Sequence, residues 1–446
     1  MAQSTSRGFN RVLERWIPSS LTFAIVLTGV VALLALVLTE AGPVQVVQGW
    51  GDGLSGLLAF MTQMCLILLL GHMLANTRPM RRLLVWLACV PTKTTTAYMF
   101  VFALAAVTSL INWGLGLVVG ALLARETAVQ ARDRGMKVHF PLLVAAGYSG
   151  FVVWHMGYSG SGPLTAATPG SFLADALGGR TIPVSETTFA PWNMLAALGV
   201  IVVCALLLWW VAPKGDDRIV ELPAGVASES LADWKPEVVT PADRLDASRV
   251  LTMLVGLALV AYLVIHFSQG GTMTLDIVNW TFLALILLLV RSPFEIIHLT
   301  QNAAKHVGEI LLQFPLYAGI MGMMASTGLI TIFSNAFVAI AGPHSFGVLA
   351  LLSAGLVNFF VPSGGGQFAV QGPIMLDAAA KLGVDPSIAI MAVAYGDQWT
   401  NMLQPFWALP VLAIAGLKMR DILGYTALTC LGSGVVMGVA LWLASL

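Results

Sequence analysis

Asp397 stands with Gln398, Thr400 and Asn401 inside an apolar, helix-length segment. A carboxylate in such surroundings is costly to keep, which makes it a functional candidate. It can bind a cation or carry a proton, and its plain alternative is a buried hydrogen-bonding role. His155 lies in a similarly apolar stretch and is the side chain that titrates near neutrality; a satisfied core histidine is the competing reading. A third site of chemistry is backbone: Asn358-Phe359-Phe360-Val361-Pro362-Ser363-Gly364-Gly365-Gly366-Gln367. A helix cannot run through Pro-Ser-Gly-Gly-Gly, because proline lacks the N–H and successive glycines lose the most backbone entropy. The chain must turn there, and the N–H groups of Ser363, Gly364, Gly365, Gly366 and Gln367, opening the next helical arm, are suited to hold a carboxylate. The bland readings are an ordinary loop and glycines that serve close packing. Trp113, Trp154, Phe359, Trp399 and Phe406 lie close to such breaks, where rings can wall an apolar pocket or simply pack. A ligand that is part carboxylate and part hydrocarbon fits this set. A dianion would normally call for an arginine, and no Lys or Arg falls in these stretches.

The elements that position these residues are membrane helices. The chain has 446 residues, 58% hydrophobic and 10% charged, with a mean hydropathy of +0.85. That is far from soluble composition and gives an all-α polytopic membrane protein, not a β-barrel. Arg7, Arg11 and Arg15 precede the first apolar run without a small-residue cleavage site, so that span is expected to be retained. The four cysteines, Cys65, Cys89, Cys204 and Cys430, have no paired spacing and suggest neither disulfides nor a metal site. Full spans are expected near 21–39, 56–76, 140–163, 193–212, 250–268, 276–291, 308–328, 388–413 and 422–444, about nine crossings.

Two further stretches read as re-entrant hairpins. Residues 97–124 are apolar but interrupted at Asn112-Trp113-Gly114-Leu115-Gly116 and have basic residues on both flanks, Lys93 before and Arg125, Arg132, Arg134 and Lys137 after. A stretch that begins and ends on one side must fold back. With a cytoplasmic N-terminus (1–20) and this hairpin opening to the cytoplasm, every Lys and Arg except Arg180 and Lys381 falls on the cytoplasmic side. Residues 346–378 form the second hairpin, opening outward. Residues 213–247, rich in Pro, Asp, Glu and Lys, read as a mobile cytoplasmic linker between the halves 21–212 and 248–446. The halves repeat one pattern: Gln63, Asn112 and Tyr148 in the first recur as Gln313, Asn358 and Tyr395 at nearly the same intervals. Each half reads as span, short arm helix, hairpin, broken span and final span, and the crossing count gives the repeats opposite directions. Four breaks would then meet near the midplane: two tips around Asn112, Trp113 and Gly114 and around Asn358 to Gln367, and two broken spans carrying Trp154, His155 and Ser159 and Asp397 to Asn401.

Asn358 to Gln371, Trp154-His155 with Gly157-Tyr158-Ser159-Gly160-Ser161, and Tyr395-Gly396-Asp397-Gln398-Trp399-Thr400-Asn401 together resemble the bacterial short-chain fatty acid transporter family. The resemblance covers nearly the whole chain. It implies uptake of small monocarboxylates such as butyrate, acetoacetate or acetate across the bacterial inner membrane by proton or sodium symport. The wider likeness to hairpin-containing ion transporters implies an elevator-type motion against a dimeric scaffold, hence a homodimer. Substrate is then expected at Asn112, Trp113, Gly114, Trp154, His155, Ser159, Asn358, Ser363, Gly364, Gly365, Gly366, Gln367, Trp399 and Asn401. The coupling ion is expected at Asp397, Asn112, Asn358 and Thr400. Sodium would be the only metal. Asn112 and Asn358 are followed by Trp and Phe, so the sodium sites of better-known relatives transfer only weakly.

No cofactor is called for, and the partners are the substrate and the bilayer, not nucleic acid. There is no His-Glu-x-x-His, no Gly-x-Ser-x-Gly and no paired intramembrane aspartates, so no enzyme is implied. The nearest rival is a dicarboxylate or amino-acid-like anion carrier on the same architecture; a channel would pass substrate without any gradient.

Overall fold

The computed structural model describes residues 20–213, 219–222, 238–305, 307–359, 361–362, 364–404 and 406–446, and every regular element among them is helical. The chain begins with α1 (Ser20–Leu38), α2 (Pro43–Gly53), α3 (Leu58–Asn76) and the amphipathic arm α4 (Arg78–Ala88). Helices α5 (Thr94–Ile111) and α6 (Trp113–Asp133) follow, with Asn112 between them in extended backbone, φ −153° and ψ 126°. They fold back on one another: Gly116 lies against Ser109, and Gly120 against Ala105, the antiparallel register of a hairpin. Neither glycine has room for a Cβ, so close packing explains this pair.

This hairpin occupies 94–133 rather than the 97–124 read from hydropathy. Apolar character marks only the middle; Arg125, Glu126, Gln130 and Arg132 are good helix formers and prolong the second arm. The arms are 18 and 21 residues long, each of spanning length.

Helix α7 (Phe140–Ser149) tightens into a 3₁₀ segment, Gly150–Met156, and breaks at Gly157 before α8 (Ser161–Ala167). Gly157 sits so close to the Leu110 backbone that only glycine fits, and Tyr158 N–H donates to Leu110 C=O at 2.6 Å. The half closes with α9 (Pro191–Trp210). Most of the 213–247 linker lies outside the described residues. Within the part that is described, Val220 bonds through both its backbone groups to His139 and Phe140, and α10 (Pro241–Asp246) starts from a Thr240–Asp243 capping box.

The second half runs through α11 (Arg249–Ser268), α12 (Leu275–Leu289), α13 (Pro293–Ala304), α14 (Gly308–Thr327) and the arm α15 (Leu329–Val338). The hairpin follows as α16 (Phe346–Asn358) and α17 (Gly364–Leu382). Its end, too, lies beyond the expected residue 378. An Asp377–Lys381 pair supports the last turn, and Gly383, at φ +68°, stops it. The second broken helix is α18 (Pro386–Thr400), a 3₁₀ turn at Asn401–Leu403 and α19 (Ala408–Ala415); α20 (Met419–Ala444) ends the chain. In α20, Gly434 makes room for the Trp399 ring, whereas Gly438 faces open space, so only the first of that GxxxG pair packs.

Eight helical segments among the described residues are long and apolar enough to cross a membrane. The segments expected at 276–291 and 388–413 are a 15-residue helix and a broken one. The helices fall into two groups, which also pack on each other through α3 with α6 and α14 with α17. In the first, α14 packs on α1 and α2, while α12 and α13 pack on α3. The second joins the hairpins, the broken helices, α9 and α20. Gly199 faces Val436 while Gly432 faces Leu207, so α9 and α20, the last helices of the two halves, run in opposite directions. Between the groups lies a cavity of about 630 Å³, lined by Leu110 and Tyr158 on one side and Phe282 and Leu285 on the other.

Candidate functional site

The two broken helices cross antiparallel, the 3₁₀ segment of the first lying against α18 of the second. His155 N–H donates to Gln398 Oε1 at 2.8 Å, and Tyr148 O–H to the Asn401 carbonyl at 2.7 Å. Tyr395, which holds the matching place in the second half, donates to Asn193 Oδ1 at 2.6 Å, and Asn193 in turn donates to the Met156 carbonyl at 3.1 Å. Each tyrosine thus braces the break of the opposite helix. The crossing buries His155 and Asp397 against each other, with Nδ1 and Oδ2 2.9 Å apart.

The protonation of this pair follows from its neighbours. Gly162 N–H, which can only donate, points at His155 Nε2 at 2.9 Å, and the Ser161 hydroxyl lies 3.0 Å from the same nitrogen. Nε2 is therefore an acceptor, and the ring is the neutral tautomer carrying its proton on Nδ1, donated to Asp397. Asp397 Oδ1 is buried and has no hydrogen-bond partner. A carboxyl group held in this way has one oxygen fixed by a histidine and the other ready for a proton or a cation.

Gly364 reaches the pair from the second tip. A Cβ there would lie 3.1 Å from Asp397 Oδ2 and would collide with the Trp154 ring. At Gly365 a Cβ would lie 2.6 Å from the Phe60 ring and 3.3 Å from that of Phe314. Gly364 to Gly366 form the first turn of α17 rather than a loop before it. A small cavity of about 20 Å³ lies beneath, lined by Trp113, Trp154, Trp407, Phe151, Ser161 and both glycines on one side. Met64, Ile310 and Phe314 close it from the first group of helices. Trp113 stands 6.0 Å from Trp154 and 5.2 Å from Trp407, measured between ring centroids.

The remaining candidates divide. Asn112 caps α6, its Oδ1 accepting from Leu115 N–H at 2.8 Å, and Trp113 N–H donates to Ser159 Oγ at 3.0 Å. Gly114 lies against Leu68 beside that cap. Asn358 donates to Thr400 Oγ1 (2.9 Å) and Asn401 Oδ1 (2.8 Å), leaving its own Oδ1 buried without a partner. Gln367 is turned toward the Ala354 carbonyl, at 2.8 Å. Trp399 is not brought to the cavity: its N–H donates to the Cys430 carbonyl at 2.7 Å and its ring lies between Gly355 and Gly434. Ser363 lies outside the described residues.

Sequence reasoning missed Trp407 and the roles of Ser161 and Gly162. The signal for Trp407 was its place two residues past Pro405, inside the second broken span.

The family model described as short chain fatty acid transporter matches residues 1–444. A protein of Escherichia coli (strain K12) named for short-chain fatty acid transport is 41% identical over 98% of this chain and 99% of its own length. One of Haemophilus influenzae (strain ATCC 51907), named likewise, is 36% identical over 95% and 96%. Among solved structures, the YdaH transporter of Alcanivorax borkumensis superposes with a TM-score of 0.60 at 16% identity, covering 94% of this chain and 97% of that one. MtrF of Neisseria gonorrhoeae, of a class described as antimetabolite efflux pumps, gives 0.57 at 15% identity over 98% and 97%. At such identity these two speak for the fold alone, whereas the family model and the two named relatives speak for kind: this chain belongs to the short-chain fatty acid transporter family, a membrane transporter and not an enzyme.

Proposed function

We propose that this chain is a symporter of small monocarboxylates such as butyrate, acetoacetate or acetate, driven by protons through the His155–Asp397 pair. The observation that carries the reading is the neutral His155 donating to Asp397 while Asp397 Oδ1 stays buried and unpartnered beside the tip cavity. A substrate carboxylate entering next to Asp397 would put two negative charges in one dry site, which is tolerated only if a cation enters too. A proton on Asp397 meets that need without altering the packing. The lining favours a monoanion over the dicarboxylate alternative, since no Lys or Arg lines the cavity among the described residues.

Sodium is the second reading. It is favoured by Asn358 Oδ1, a buried acceptor without a partner in the cluster with Thr400 and Asn401.

For transport, the second group of helices would move past the first in elevator fashion, with both hairpins re-entrant and the halves forming inverted repeats. The large apolar cavity between the groups supports such sliding, because few directional bonds cross there; the Tyr158–Thr281 hydroxyl contact at 3.3 Å is one. The first group would carry the homodimer contact. The distribution of basic residues supports a cytoplasmic N-terminus, and the family supports the bacterial inner membrane as the chain's location.

The test is uptake of labelled butyrate into proteoliposomes with proton and sodium gradients imposed separately. Accumulation driven by the proton gradient alone supports the proposal. Accumulation driven only by sodium transfers the coupling role to the Asn358 cluster, and equilibration without either gradient overturns symport.

A further inference from the structure

The small cavity at the second tip is more than an aromatic wall. The indole nitrogens of Trp113, Trp154 and Trp407 are all buried, none has a hydrogen-bond acceptor, and all three residues line this one cavity. Indole N–H is a donor only, and a buried donor without an acceptor is costly, so such groups normally find a partner. Trp399 does, at the Cys430 carbonyl. Trp50 does not, but it packs on Gly319 in the first group of helices, away from this cavity. Three residues that line one cavity and each carry an orphaned donor are the reverse of what apolar packing alone would leave.

We infer that the three indole N–H groups are the receptor for the substrate's carboxylate, a charge-neutral anion site in place of an arginine clamp. This deepens the monocarboxylate reading and rests on it. Hydrogen bonds to an ionised acceptor are the strong ones, and three donors suit the several lone pairs of a carboxylate. Ser161 ties this receptor to the coupling pair, because it lines the cavity and also contacts His155 Nε2. Gly364 lies between Trp154 and Asp397. With no fixed cation in the lining, the charge of the bound anion is balanced only by what Asp397 takes up, so recognition and coupling become one event. The cavity of about 20 Å³ holds a single water-sized group. A four-carbon acid therefore needs the glycine tip to withdraw, its hydrocarbon end then meeting Met64, Ile310 and Phe314.

The experiment is butyrate uptake by Trp113→Phe, Trp154→Phe and Trp407→Phe in proteoliposomes, with inhibition by butyramide measured alongside. Phenylalanine keeps an aromatic ring and removes the donor. Each variant is expected to raise the KM for butyrate by about 10-fold or more at a nearly unchanged maximal rate. The preference for the acid over its amide should shrink in parallel, while Trp50→Phe changes neither. An unchanged KM and unchanged acid preference in all three overturns this inference and leaves the transport reading standing. A wild-type protein that does not take up butyrate overturns both. Where a variant does not fold, the wild-type protein still decides. Its ultraviolet resonance Raman spectrum should show newly hydrogen-bonded indole N–H on adding butyrate, and no change in that band overturns the receptor.

Discussion

The two hairpin tips hold matching places in the two halves and differ in how their second arms are seated. The first is tied by hydrogen bonds: Asn112 caps α6, Trp113 N–H reaches Ser159, and the Leu110 carbonyl takes the Tyr158 N–H. At the second, Asn358 ties the end of α16 to Thr400 and Asn401, whereas the start of α17 presents Gly364 and Gly365 to the rings of Trp154 and Phe60. Directional bonds hold a tip in one place, whereas contacts between glycines and rings can be broken and remade at little cost. In the proposed cycle the first tip is a fixed floor and the second a gate.

The His155–Asp397 pair, the proposed coupling site, carries the largest expected effect. Replacing His155 by Phe leaves Asp397 buried without its donor, so gradient-driven uptake should fall at least 100-fold and stability at neutral pH by roughly 3 kcal/mol. Thermal unfolding in detergent checks the second figure. A His155→Leu/Asp397→Leu double variant should regain the stability but not the uptake; recovery of both would make the pair a structural feature only.

The tips differ next. Gly364→Ala drives a methyl group into the Trp154 ring, and uptake should drop about 10-fold, in line with overpacking costs of 1–3 kcal/mol. At the first tip, Gly114→Ala meets its nearest atoms at 3.3 Å and should cost less than about 2-fold. Equal losses at the two positions would erase the distinction between floor and gate. Asn112→Ala removes the cap of the floor and should lower stability by about 1 kcal/mol, read by thermal unfolding.

The smallest effect lies at the linker. Val220 N–H donates to His139 Nδ1 at 3.0 Å, which requires a neutral ring, and burial holds His139 below its usual 6.5. The undocked state therefore binds more protons, so docking is at full strength above pH 6.5 and weakens as pH falls from there toward the lowered value. Amide exchange at Val220, corrected for its intrinsic rate, should speed up over that window and lose this dependence in His139→Gln.

How much of this was legible in the sequence depended on distance along the chain. The second tip was plain because Pro-Ser-Gly-Gly-Gly forbids a continuous helix by itself. The first rested on the weaker interruption Asn112-Trp113-Gly114-Leu115-Gly116, which holds no proline, and needed the basic flanks to be read as a fold-back; its ends were hidden because hydropathy stops where charged helix formers begin. Asp397 and His155 each stood out as polar groups in apolar runs. Their contact did not, since it joins residues 242 apart through two helices whose crossing no local pattern encodes. Trp399 and Trp407 show the same limit from the other side. Both are tryptophans near one break, and only the positions of Gly434 and the Cys430 carbonyl send the first outward while the second lines the cavity.

The most direct test of the account is Asp397→Asn in proteoliposomes, comparing exchange of labelled for unlabelled butyrate with accumulation under an imposed proton gradient. Asparagine keeps the size and the hydrogen-bonding oxygen but cannot carry the proton. The account predicts that exchange persists while accumulation is lost. Proton-driven accumulation at the wild-type level in this variant would contradict it.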